Sequence, residues 1–174
     1  MTMATANDGF VSDPASPLSL RLLLIVAALA ELVDSASGLL GLFVNHEQIP
    51  APGVAGAIVL TSIALKPPLA IAAIGSALIK RMRLAVCLVA AIGICTWLIY
   101  LPSLTLKDLA VPFDWTGLLF LASTELVLPL AVAAIVLAIF TARLNLAIVL
   151  ACLPAAVRLA GLIAFGAAAV IHGV

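Results

Sequence analysis

Residues 21–43, RLLLIVAALAELVDSASGLLGLF, form an apolar run long enough to cross a bilayer, yet Glu31 and Asp34 stand near its middle. At a rise of about 1.5 Å per residue and a hydrocarbon core of about 30 Å, runs of roughly 18 or more apolar residues read as spanning helices. Four further runs follow along the chain, and three of them also hold a charge in mid-run. With 66% of the 174 residues hydrophobic and only 9% charged, no water-soluble core could enclose so much apolar surface. A β-barrel would show short alternating strands and aromatic girdles, and the sequence has neither pattern. The expected fold class is all-α: a polytopic membrane protein built as a bundle of five transmembrane helices.

The expected organisation is a disordered polar tail over residues 1–20 and a single transmembrane domain over 21–174, with helices at about 22–44, 53–79, 84–101, 117–140 and 144–171. Arg21, the run 22–30 and Ser35-Ala36-Ser37 imitate a secretory signal. The apolar sequence continues past Ser37 to Val44, however, and the would-be cleavage region holds two acids, so a first spanning helix is the better reading. The 45–52 linker, NHEQIPAP, is a loop by its prolines and polarity. His46 and Glu47 are adjacent there without a third ligand, so no metal site is expected.

The second run, 53–79, is interrupted at its centre by Lys66-Pro67-Pro68. Neither half is long enough to span alone, which predicts one helix broken at Pro67-Pro68, where the prolines deprive the carbonyls of Ile63 and Ala64 of their donors. A simple kink, or two re-entrant halves, are the alternatives. The third run carries no charge, and Trp97 and Tyr100 suit an interfacial belt near its end. In the fourth, Glu125 precedes Pro129 by one turn; in the fifth, Pro154 and Arg158 share a face with Ala151, Ala155, Gly161 and Phe165. Cys87, Cys95 and Cys152 lack any metal or redox spacing and read as small apolar packing residues.

With five spans, the side holding the N-terminus carries Arg21, Lys80, Arg81, Arg83 and Arg143, and the other side only Lys107. Cytoplasmic loops are enriched in Lys and Arg, which predicts a multi-pass protein of the cell membrane with its N-terminus cytoplasmic and its C-terminus outside.

Counted from the centre of each run, Lys66 and Arg158 fall near the bilayer midplane and Glu31, Asp34 and Glu125 within about 5 Å of it. Five unpaired charges there would cost on the order of 15 kcal/mol, so they are expected to face inward and to pair or meet water. Three acids against two bases predict that one carboxylate is protonated or holds a cation, with Glu31 and Asp34, a turn apart, as the expected pair sharing a proton. The order acidic, basic, plain, acidic, basic along the helices, with Glu31-Leu32-Val33 matched by Glu125-Leu126-Val127, also outlines an inverted repeat of the kind found in secondary transporters.

These five residues are the candidate proton- or ion-handling site, and the expected function is a small proton- or ion-coupled transporter or channel. The alternative is a structural or accessory membrane subunit whose buried charges only pair helices. No catalytic constellation, phosphate loop, cofactor motif or metal set is present, and an enzyme is the least favoured class. The expected partners are the lipid bilayer and a second copy or a membrane complex; with eight basic and eight acidic residues, nothing points to nucleic acid. Convergence of the charges on a wet cavity favours transport, closed pairs without one favour a scaffold, and an apolar groove between helices with the charges at its rim would favour an enzyme acting on lipid.

Overall fold

The computed structural model describes residues 18–44, 53–100, 126–140 and 143–172, without the side chains at 42, 43, 165 and 168–172. Residues 1–17, the 45–52 linker with His46 and Glu47, the 102–116 connection with Lys107, Asp108 and Asp114, and the first part of the fourth expected helix, Glu125 included, lie outside the described residues.

Within them the regular structure is helical: α1 (Leu18–Val44), α2 (Val54–Leu78), α3 (Met82–Tyr100), α4 (Val127–Phe140) and α5 (Leu144–His172). Four of these, α1, α2, α3 and α5, are long and apolar enough to cross a membrane by length and composition. The 14 described residues of α4 reach only about 21 Å, short of a hydrocarbon core.

Two boundaries differ from those expected. Leu18-Ser19-Leu20, read as tail, form the first turn of α1, because Leu20 packs onto the core. Met82 and Arg83, read as loop, open α3, because Met82 is buried with 2% exposure. The break expected at Pro67-Pro68 is also absent: α2 runs as one helix from Val54 to Leu78 with both prolines inside. Proline removes only its own N–H, so two hydrogen bonds are lost while the flanking turns keep theirs, and Lys66, Ala70, Ala73 and Ala77 hold the helix along one buried face. In lipid, unwinding would strand more backbone groups than the two prolines do.

The helix α3 is the hub. It packs against each of the other four, consecutive helices pack on one another, and α5 returns to α1. It is also the most buried of the long helices, with 44% of its spanning window inside the protein against 22–33% for the others. The sequence explains this: α3 has no charge in its interior, and Ala85, Val86, Val89, Ala90 and Gly93 present a nearly flat surface to its neighbours. On α4 the buried residues are Val127, Ala131, Ala134 and Ala138, spaced three and four apart. A Cβ placed at Gly93 would stand 3.3 Å from Val127 Cγ1 and 3.7 Å from Ala131 Cβ, so glycine sets how closely α3 and α4 approach.

Inside and outside differ in side-chain size rather than polarity. Alanine dominates the core, while Leu29, Val33, Leu40, Ile71, Phe140 and Leu162 point outward. An aqueous protein with that surface would aggregate; a bilayer solvates it, and the small core residues let helices approach without a hydrophobic driving force between them.

The turn between α2 and α3 closes α2. Lys80 N–H donates to the Ala77 carbonyl at 3.2 Å and Arg81 N–H to the Ser76 carbonyl at 2.9 Å, with Lys80 in the left-handed region at φ 63°. From α1, Arg21 donates through Nε to the Ala77 carbonyl at 2.8 Å and through Nη2 to the Leu78 carbonyl at 2.6 Å. A cation thus sits where the helix dipole is negative and ties the start of α1 to the end of α2.

Candidate functional site

The middle residue of each of three helices is charged. Glu31 has thirteen residues of α1 on either side, Lys66 twelve of α2 and Arg158 fourteen of α5. Since helices in a bundle of this kind cross the same layer, three central residues lie at one depth, and Asp34 lies one turn beyond Glu31.

They meet. Arg158 Nη2 pairs with Glu31 Oε1, and Lys66 Nζ lies 3.4 Å from Glu31 Oε2, so one carboxylate is clasped by two cations from two different helices. Lys66 Nζ also donates to Asp34 Oδ2 at 2.9 Å, and Arg158 Nη1 lies 3.7 Å from the same oxygen. Arginine is suited to the bridging position because its planar fork serves two oxygens at once. One turn from Glu31, Ser35 is buried with its hydroxyl donating to the Leu32 carbonyl at 3.0 Å, and on α3 the buried Thr96 donates to the Ile92 carbonyl at 3.0 Å. Both hydroxyls are satisfied by their own helices and leave the charges to one another.

Exposure divides the four. The side chains of Glu31 and Lys66 are each 5% exposed, Arg158 25% and Asp34 58%. Glu31 is the enclosed centre of the tetrad and Asp34 its outward edge. On α1, Ala27, Glu31 and Ser35 therefore face inward, while Asp34 and Gly38 are exposed. Two polar atoms in this centre, Glu31 Oε2 and Arg158 Nε, are buried without a hydrogen-bond partner among the described residues.

The expected proton shared between Glu31 and Asp34 has no counterpart in these contacts. Lys66 and Arg158 contact both carboxylates, and the described tetrad balances two acids against two bases. The acid in excess among the five mid-run charges is Glu125, outside the described residues.

Two spaces adjoin the tetrad. The larger, about 350 Å³, opens between α1 and α5; Glu31, Asp34 and Arg158 form its polar end, and Ala30, Ala155, Leu159 and Leu162 its apolar walls. Gly161 completes it, and a Cβ there would meet nothing within 4 Å. The smaller space, about 10 Å³, lies on the inner side among Glu31, Arg158, Gly93, Val127 and Pro154, with room for one water at most. The sequence did not single out Leu159, Leu162 or Ala30; the run of small residues Ala151, Ala155 and Gly161 beside Arg158 was the signal for a gap in that face.

The charged groups in the described lining of the two spaces are the Glu31 and Asp34 carboxylates and the Arg158 guanidinium. The lining of the larger holds no Ser, Thr, Cys or His. Among the described residues no group of three or more metal-ligating side chains occurs. The three cysteines are free thiols, Cys95 and Cys152 buried and Cys87 half-buried, in helix-packing positions.

By fold and site, the molecule is an all-helical protein of several long apolar helices, which point to a membrane location, with a buried tetrad of charge at their centres. No family model, curated protein or solved structure matches the chain.

Proposed function

We propose that this is a multi-pass protein of the cell membrane in which Glu31, Asp34, Lys66 and Arg158 handle protons or ions, as a small proton- or ion-coupled transporter or channel. The observation that carries this reading is the meeting of central charges from three helices at the end of a 350 Å³ cleft. Ionisable groups at membrane depth are costly and are kept where they serve a pathway, whereas polar contacts used only as glue in bilayers contribute near 0.6 kcal/mol on average. Glu125 belongs to the proposal by its place in the sequence alone. So do the fifth span, completed by residues 117–126 ahead of α4, and an orientation with the N-terminus cytoplasmic and the C-terminus outside, drawn from the Lys and Arg distribution.

The balance of two acids and two bases supports a second reading, an accessory or structural subunit whose charges only hold α1, α2 and α5 together. Proton and ion flux into liposomes separates the two. Wild type is expected to conduct or exchange above protein-free vesicles, and Glu31→Gln and Asp34→Asn to lower that flux at least tenfold. Unchanged flux in both variants removes α1 from any mechanism, and no flux from folded wild type leaves the accessory reading.

A further inference from the structure

We propose that the cleft between α1 and α5 binds an amphiphilic organic cation, with Asp34 as its counter-ion. This deepens the ion-handling reading and rests on it for any transport, though not for binding.

Size, walls and sign point to this class of ligand. At about 350 Å³ the cleft falls within the range of small-molecule sites. Its walls, Ala30, Ala155, Leu159 and Leu162, offer an apolar body only dispersion contacts and burial. Its charged lining is two acids, Glu31 and Asp34, against one base, Arg158, and the Asp34 side chain is 58% exposed against 25% for Arg158. The contacts of Asp34 with Lys66 and Arg158 both fall on Oδ2, which leaves Oδ1 without a cation among the described residues.

The tetrad also accounts for release of the carboxylate. A cation arriving at Asp34 competes with Lys66 Nζ, which lies 2.9 Å from Oδ2, but Lys66 is not stranded, because Glu31 Oε2 stands 3.4 Å away. Glu31 remains paired with Arg158 throughout. One carboxylate keeps the two resident cations compensated while the other exchanges partners. An anionic amphiphile fits less well, since the one cation in the lining, Arg158, is already paired with Glu31.

The test uses two probes of matched shape and opposite charge, tetraphenylphosphonium and tetraphenylborate, with the full chain in nanodiscs of zwitterionic lipid and empty discs as baseline. Tetraphenylphosphonium is expected to bind saturably, and tetraphenylborate to partition no more than into empty discs. Asp34→Asn should weaken phosphonium binding at least tenfold while Asp34→Glu retains it. Gly161→Leu keeps all four charges but narrows the cleft, and should also weaken binding; circular dichroism checks that each variant is folded. Borate binding in place of phosphonium, no saturable binding, or wild-type affinity in both folded Asp34→Asn and Gly161→Leu overturns the proposal. Phosphonium binding by a protein that passes no proton or ion flux would sink the transport reading and leave this site standing; flux that depends on Glu31 without phosphonium binding would do the reverse.

Discussion

The contact of α1, α2 and α5 and the contact of α3 and α4 are two ways of holding helices together in one molecule. The first meets over four charges, with Glu31 and Lys66 almost wholly enclosed. The second meets over Gly93, Val127, Ala131, Ala134 and Ala138 without any charge among its described residues. In the first, a few directional contacts share partners, so deleting one group strands the others. In the second, many weak contacts depend on backbone approach, so adding atoms does more harm than removing them. The two meet at the small space bounded by both Glu31 and Gly93.

The largest expected effect lies in the charged contact. Glu31→Gln keeps the volume but removes the carboxylate that Lys66 and Arg158 share, leaving both cations to the more exposed Asp34. Breaking a buried pair by one partner costs about 3–5 kcal/mol, and reversible unfolding in mixed detergent micelles should register a loss of that size. Asp34→Asn, at the exposed edge, should lose about 1 kcal/mol or less. An equal loss in the two variants would contradict the division into an enclosed centre and an outward edge.

What could be read from the sequence follows the same division. Depth was legible, because a fixed rise per residue places Glu31, Lys66 and Arg158 at the centres of their runs whatever the helices do next. That the charges would face inward and pair was legible too, but not which with which: a turn's separation on α1 suggested that Glu31 and Asp34 share a proton, whereas neighbouring helices supply a cation to each. The helical class and the extents of α2 and α3 were legible to within a few residues, but the prolines in α2 were over-read. A local rule about missing donors said nothing of the buried face that keeps the helix whole. The hub position of α3 was hidden for the opposite reason, since a run without charges looked merely ordinary. The cleft depends on two helices leaving a gap, which no single-helix pattern states.

The uncharged contact should be sensitive to addition. Gly93→Leu places a branched side chain where even a Cβ would lie 3.3 Å from Val127 Cγ1, and Val127 is itself fully buried. Overpacking of this kind costs about 1–3 kcal/mol, less than loss of Glu31, and the same micelle unfolding assay ranks them. A neutral outcome would mean that α3 and α4 adjust freely and that their seam is not set by approach.

The smallest effect is expected at the joint between the two regions. Lys80 adopts φ 63° at the end of α2, a conformation that costs an L-residue roughly 1–2 kcal/mol and glycine almost nothing. Glycine also frees the unfolded chain, which offsets part of that gain, so Lys80→Gly should stabilise by a net of about 0.5 kcal/mol. Arg81 and Arg83 remain to mark the basic side of the turn. Because Lys80 lies roughly 20 Å along the helices from Lys66 and from Gly93, at about 1.5 Å per residue, the gain should add to either variant within about 0.5 kcal/mol. A larger departure in the Glu31→Gln background alone would show that the end of α2, which Arg21 ties to α1, reports on the charges at its centre; the same departure in both backgrounds would show that the charged and uncharged contacts form one cooperative unit, joined through α2 and α3.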